Sequence, residues 1–245
     1  MPAMRIVAAA VLLLLTRCTR AFVPRATSLR RAVPPASRSV NVATSVGAIA
    51  RRVTRPLLVQ KLFSMSAGGG EKTKVLFVCL GNICRSPTAE AVFKQVTEKA
   101  GAADDFDIDS CGTGGGSESW YKPGGMVYHT GDPPDARMTS AALNRGVKLG
   151  GASRPLTPED LETFDFIVGM DAENTKAIST AATHWGKKDL AVSKTRTMTS
   201  YCRSSGDVKK VPDPYYGGPE GFELVLDLLD DACQGLLERC REGTA

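Results

Sequence analysis

Apolar and polar positions follow two different regimes along the chain. Residues 7–15 form an apolar run behind a short basic start, and no regular pattern follows it until Lys74. Residues 74–79, K-V-L-F-V-C, then form a nearly continuous apolar run. Its length and its β-branched and aromatic content predict a buried parallel strand. Gly81 and Asn82 interrupt it, and Ser86-Pro87 predicts the opening of a helix with Pro at its first position and Glu90 in its first turn. Ala89, Val92, Phe93 and Val96 recur at helical spacing. Residues 106–111 alternate Phe106, Ile108 and Ser110 with acids, as a second strand does. A helix is expected from Asp135 to a stop at Gly146, and Thr157-Pro158-Glu159-Asp160 has the form of a capping box. Residues 164–170 predict a third strand, Asp171 to about His184 a helix, and residues 190–201 contain a weak fourth strand. Residues 219–241 close the chain as a helix whose broad apolar face carries Phe222, Val225, Leu226, Leu229, Cys233, Leu236, Leu237 and Cys240.

Strands alternating with helices predict an α/β fold: a single doubly wound domain, with a four-stranded parallel sheet and helices on both faces. Ligands of such sheets bind at the carboxyl ends of the strands. The first strand ends at Cys79, which places that residue where a site is expected.

Charge divides the chain in the same way. Residues 1–70 carry 11 Lys and Arg and no acid, leaving 20 basic against 26 acidic residues from Glu71 onward. The net charge of +5 therefore describes no single folded body and gives no support for a nucleic-acid partner. The apolar run at 7–15 is far shorter than the roughly 20 residues that span a bilayer. It fits a signal-peptide core, with Ala21 a small residue suited to cleavage. Residues 22–66 are rich in Arg, Ser, Ala, Val and Pro and lack acids, as transit peptides do. The expected organisation is thus a targeting leader over 1–70 (signal peptide about 1–21, transit-like segment about 22–66) and a folded domain over 71–245. The leader resembles the bipartite plastid leaders of algae with secondary plastids, in which a Phe, here Phe22, opens the transit part. That resemblance implies a plastid location, with a secreted protein or another organelle as the alternative, and no stable membrane insertion once the leader is removed. The six cysteines outside the leader show neither disulfide-scaffold nor zinc spacing, so neither a metal site nor a cofactor is expected. His129 and His184 receive no role.

The chemistry is carried by Cys79-Leu80-Gly81-Asn82-Ile83-Cys84-Arg85-Ser86. Five residues between a strand end and a helix start can curl into a nest whose amide N–H groups point inward, and the helix adds its positive dipole end. A dianionic phosphate fits there. Arg85 closes the ring with a planar fork that Lys could not supply. The same positive field favours a thiolate at Cys79, to which Ser86 can donate a hydrogen bond. A Walker-type phosphate loop is excluded because its Gly-Lys-Ser/Thr ending is absent. A second element is Asp213-Pro214-Tyr215-Tyr216-Gly217-Gly218. Cleavage of an aryl phosphate needs a proton donor for the leaving oxygen, and Asp213, stiffened between Pro212 and Pro214, can serve. Tyr215 and Tyr216 can flank an aromatic ring.

Taken together, V-C-L-G-N-I-C-R-S-P early and D-P-Y-Y late resemble the low-molecular-weight protein tyrosine phosphatases. The resemblance runs from about Lys74 to Arg239 and takes in Asp109-Ser110, Asp135-Ala136-Arg137, Arg154 and Met170-Asp171. It implies Cys79 as nucleophile, Arg85 as phosphate ligand and Asp213 as general acid, with Asn82 and Ser110 bracing the loop and Ser86 tuning the thiolate. Leu80, Gly81, Ile83 and Cys84 complete the phosphate loop. Where many members carry a His that supports the Asn side chain, this sequence has Gly151, which leaves Asn82 without that support. The Gly-rich insertion over 114–125 resembles plant-type members and implies Trp120 or Tyr121 as a wall of the substrate pocket. Expected substrates are tyrosine-phosphorylated proteins or small aryl phosphates, hydrolysed through a phosphocysteine. Three rivals are weighed: an arsenate reductase of the same fold, an arginine-phosphate phosphatase, and a catalytically silent phosphotyrosine-binding module. The first lacks its further redox cysteines between Cys111 and Cys202; the second prefers Thr where Ile83 stands; the third would not need an intact Cys79, Arg85 and Asp213. Cys84, five residues after Cys79 in a tightly curled loop, is a candidate to resolve an oxidised Cys79 as a disulfide.

Overall fold

The structure, a computed structural model, describes residues 71–204, 206–215 and 217–242. The predicted leader and Tyr216 lie outside the described residues. Four strands, β1 (Thr73–Cys79), β2 (Phe106–Gly112), β3 (Phe166–Gly169) and β4 (Thr195–Thr197), form one parallel sheet in the order β2-β1-β3-β4. The helices are α1 (Arg85–Lys99), α2 (Ala136–Asn144), α3 (Pro158–Thr163), α4 (Ala172–His184), α5 (Lys188–Lys194) and α6 (Pro219–Glu242). This is the doubly wound α/β fold that the alternation of patterns predicts.

The period-two geometry of β1 explains the two layers. Val75, Phe77 and Cys79 face one core, packed with Phe93 of α1, Met138 of α2 and the apolar stripe of α6. Leu76 and Val78 face the other, with Leu161 of α3 and Ile178 and Ala181 of α4. The first core is pinned by edge-to-face aromatic pairs, Phe77–Phe93 at 5.7 Å and Phe93–Phe106 at 5.3 Å. Because β1 is central and buried on both faces, its carboxyl end at Cys79 is held on all sides.

The elements depart from the sequence expectations in four places. Helix α1 begins at Arg85, so Pro87 is its third residue and Glu90 falls in the second turn. The third strand is confined to Phe166–Gly169, because Phe164 caps α3 and the pairing with both neighbouring strands ends at Gly169. Asp171 caps α4 through its side chain, which accepts from Asn174 N. Helix α5 occupies residues read only as a possible strand: it buries Ala191 alone, too little for a helical period to register, and the edge strand β4 that follows is three residues long.

Candidate active site

The loop between β1 and α1 is shaped by what its carbonyl groups bind. The carbonyl oxygen of Cys79 accepts from Thr113 N at 2.9 Å, that of Leu80 from Gly115 N at 2.9 Å, and that of Ile83 from Asp135 N at 2.6 Å. Ser153 Oγ donates to the Gly81 carbonyl at 2.8 Å, and Thr88 Oγ1 donates to that of Cys84 at 2.7 Å. With the carbonyls engaged outward, the amide N–H groups are left to the concave side, which is the nest an oxyanion requires. Gly112, paired with Cys79 in the sheet, permits this curl: a Cβ there would lie 2.9 Å from the Leu80 carbonyl oxygen and 3.0 Å from Asn82 N.

Asn82 is the brace of the loop. It is buried and takes a left-handed φ of 54°, a conformation Asn tolerates better than most residues. Its Nδ2 donates to Ser86 Oγ at 3.0 Å and to Ser110 Oγ at 2.9 Å, and its Oδ1 accepts from Arg154 N at 2.9 Å. The support missing at Gly151 is thus supplied by a backbone amide three residues later. Arg154 is in turn fixed by Asp109 at 2.7 Å and Asp160 at 2.9 Å, which ties β2 to α3. Ser110 Oγ passes the network on to Glu90 Oε2 at 2.7 Å. Asn82→Ala removes these bonds and places a side chain that disfavours positive φ in the turn. The expected result is a fall in kcat/KM for p-nitrophenyl phosphate of roughly 10- to 100-fold, through misplacement of the loop. Asn82→Gly restores the φ but not the bonds, and a full recovery by it would assign the effect to backbone strain alone.

At the floor of the loop, Cys79 is 3% exposed. Its sulfur receives hydrogen bonds from Ser86 Oγ at 3.1 Å and from Asn82 N at 3.3 Å. Both donors suit a thiolate. The guanidinium of Arg85, 4% exposed, spans two acids: Nη1 reaches Asp171 Oδ2 at 2.6 Å and Nη2 reaches Asp213 Oδ2 at 2.8 Å. Burial works against the Arg85 charge, but the field of Cys79 and Asp213 and the bond to Asp171 outweigh it and raise its pKa. Asp171 is the site residue for which residue chemistry gave no role. It ends the third strand's run at the carboxyl edge of the sheet, where fold reasoning places ligands, and that position is the signal for it.

A small cavity of about 150 Å³ opens above the thiol, lined by Cys79, Ile83, Arg85, His129, Asp213 and Tyr215. The site therefore gathers Cys79, Leu80, Gly81, Ile83, Cys84, Arg85 and Asp213, with Asn82, Ser86 and Ser110 behind them. Tyr215 stands at the rim, its ring covered by the Arg137 guanidinium at 5.2 Å, an arrangement that holds it upright. His129, read from sequence as without a role, lines this cavity and bonds Asp132 Oδ2 through Nδ1 at 3.0 Å. Only the fold could reveal it, since no motif surrounds it. Trp120 and Tyr121 line a neighbouring cavity that shares Leu80, Arg85 and Asp213 with the first, and both are also packing residues. Cys84 is buried in the loop, and burial first, then the Cys79, Asp213 and Asp135 charges, push its thiol well above the ordinary range. Among the described residues no cluster of His, Cys, Asp or Glu could hold a metal.

The arrangement sets a sulfur at the floor of an anion-binding loop, beside a guanidinium that is paired with the Asp213 carboxylate. The comparisons with known proteins agree. The family model described as low molecular weight phosphotyrosine protein phosphatase matches residues 74–244. A Synechocystis protein is 43% identical over 67% of this chain and 94% of its own length. The low molecular weight phosphotyrosine protein phosphatase of Schizosaccharomyces pombe is 40% identical over 64% of this chain and 90% of its own. A crystal structure of a protein tyrosine phosphatase from Entamoeba histolytica, with Hepes in its active site, superposes with a TM-score of 0.61 at 37% identity, covering 71% of this chain and all of that one. The chain belongs to the low molecular weight phosphotyrosine protein phosphatases.

Proposed function

We propose that this phosphatase works through Cys79 as nucleophile, Arg85 as phosphate clamp and Asp213 as general acid. The observation that carries the reading is the convergence on one small cavity of a sulfur held by two N–H and O–H donors, a guanidinium, and a carboxylate that the guanidinium already touches. The thiolate attacks phosphorus in line and the ester P–O bond breaks. Asp213 gives its proton to the departing phenolate, and phosphate remains on sulfur. Water, deprotonated by the same carboxylate, then cleaves the S–P bond and restores the thiolate and the acid. The inward amides and the Arg85 fork hold the equatorial oxygens throughout. Arg85 must open toward the phosphate from the pairing seen here, and Asp171 keeps one end of its fork fixed while it does so. The test is turnover of p-nitrophenyl phosphate by the purified protein with a metal chelator present. An inactive protein that still binds phosphotyrosine would favour the silent binding module.

The same reading gives Cys84 a protective role. If peroxide converts the Cys79 thiolate to a sulfenic acid, the Cys84 thiol can attack its sulfur, and the Cys84 proton leaves with the departing hydroxyl, giving a Cys79–Cys84 disulfide and water. Peroxide followed by excess thiol should restore activity to the wild type but not to Cys84→Ser. Equal recovery would leave Cys84 as a packing residue.

The protein is further proposed to be a plant- or algal-type member that reaches a plastid. Support comes from the acid-free, Arg- and Ser-rich residues 22–66 behind a short apolar run. Residues 1–21 fused to a fluorescent reporter should send it to the secretory path, and residues 1–70 to a plastid. A reporter that stays cytosolic with all 70 residues would overturn both.

A further inference from the structure

One carbonyl of the phosphate loop is held by a stretch of chain that cannot hold itself. Gly115 N donates to the Leu80 carbonyl at 2.9 Å, and Gly115 belongs to a single turn made of Gly114, Gly115 and Gly116. All three take left-handed φ, at 81°, 69° and 105°. Glycine loses more conformational freedom on ordering than any other residue, so a run of three does not keep such a turn fixed without outside contacts. The turn matters because of the peptide it holds. The Leu80–Gly81 peptide is trans, so its C=O and N–H point in opposite directions. Fixing the Leu80 carbonyl outward on Gly115 therefore aims the Gly81 N–H at the concave side of the loop, where phosphate oxygens bind.

Two aromatic residues clamp the turn. On one side, a Cβ at Gly114 would lie 2.2 Å from Trp120 Cβ, so the tryptophan stands directly on the glycine. On the other, a Cβ at Gly115 would lie 2.8 Å from Tyr128 Cβ, and Tyr128 N donates to the Gly114 carbonyl at 3.2 Å. Trp120 is the anchored member of the pair. It is buried in the second core with Leu76, Val78 and Cys111, whereas Tyr128 is 49% exposed. Trp120 packs edge-to-face on Tyr121 at 5.6 Å and on Trp185 at 5.8 Å. Tyr121 packs on His184 at 5.4 Å, and its carbonyl accepts from Trp185 Nε1 at 2.9 Å. The Gly-rich insertion is thereby fastened to the carboxyl end of α4, and the fastening runs through Trp120 and the glycine turn to the phosphate loop.

Resting on the phosphatase reading above, we infer that Trp120 is a positioning residue for the reaction: packed on Trp185, it holds the glycine turn against the loop so that the Gly81 amide faces the phosphate. It acts through Gly115 and Leu80 rather than by contact with the phosphate. A wall of the substrate pocket, the role expected from sequence, would act on the bulk of the substrate instead.

Trp120→Ala frees the turn on one side. The kcat/KM for p-nitrophenyl phosphate should fall roughly tenfold, because a small misplacement of one loop amide weakens the hold on the reacting phosphate. Calorimetry should show a similar loss of affinity for inorganic phosphate when Trp120→Ala is added to Cys79→Ser. Trp120→Phe keeps a ring between Gly114 and Trp185 and should restore both quantities to within about threefold of their reference values. In the alanine variant the Gly115 amide should exchange with deuterium faster while the amides of β1 stay protected, a local release that general destabilisation would not give. Trp185→Phe keeps a packing ring but removes the donor to the Tyr121 carbonyl. It should move the same readouts in the same direction by a smaller amount, and it decides the matter alone if Trp120→Ala does not fold. Unchanged phosphate affinity and Gly115 exchange in the folded variants would overturn the inference. So would a loss confined to phosphotyrosine peptides with p-nitrophenyl phosphate spared, which would make Trp120 a wall. Turnover surviving in Cys79→Ser would strike the catalytic assignment alone, since the phosphate comparison needs no nucleophile.

Discussion

Cys79→Ser should abolish turnover of p-nitrophenyl phosphate while the protein still binds phosphate or vanadate. The serine hydroxyl is isosteric with the thiol, and Ser86 Oγ and Asn82 N can still donate to it. The inward amides and Arg85 are untouched, so the binding nest survives. What is lost is the nucleophile: an alcohol is not ionised by the field that suffices for a thiol. The expected loss in kcat is at least about a hundredfold, because covalent catalysis is removed as a whole. Retention of more than that residual activity would mean that another group attacks phosphorus. Arg85→Lys should be almost as severe. An ammonium cannot bridge Asp171 and Asp213 or present a planar fork to two phosphate oxygens, and it would leave buried carboxylate charge poorly compensated.

Asp213→Asn carries the second large effect. The amide can keep contact with the loop but has no proton to give. Loss of a general acid slows the chemical step by roughly 10²–10⁴, and most for substrates whose leaving group is a poor one. Phenyl phosphate should suffer more than p-nitrophenyl phosphate, whose phenolate departs with little help. A loss equal for both leaving groups would indicate that the pairing with Arg85 matters structurally and that the proton comes from elsewhere. Asp213 reaches its place through a local device: Tyr215 N donates back to its Oδ1 at 3.1 Å, and the flanking prolines restrict the turn.

The fold was legible where burial is continuous and illegible where it is thin. The run over 74–79 is apolar at every position but its first, and it proves to be the central strand with a core on each face. The α6 stripe read from Phe222 to Cys240 is the buried face of that helix. By contrast, α5 buries only Ala191, and its charged face offered no period to detect. The loop from Cys79 to Ser86 was readable because its spacing forces a curl between a strand and a helix. Asp171 was not, because an Asp that caps a helix and an Asp that holds an arginine have the same local sequence, and here one residue does both. The bracing of Asn82 by Arg154 N was also hidden, since any residue can supply a backbone amide. His129 and the anchoring of Trp120 to Trp185 join positions far apart in the chain, which only the packed structure brings together.

The central claim is that phosphate is carried on Cys79 during turnover. Rapid acid quench of the wild type during hydrolysis of a radiolabelled aryl phosphate, followed by proteolysis and mass spectrometry, tests it directly. The account predicts phosphate on the sulfur of the peptide containing Cys79, accumulating in Asp213→Asn with substrates of good leaving group, because water attack is then slowed. Steady turnover with no covalent phosphate at Cys79, or with the label on another residue, would contradict it.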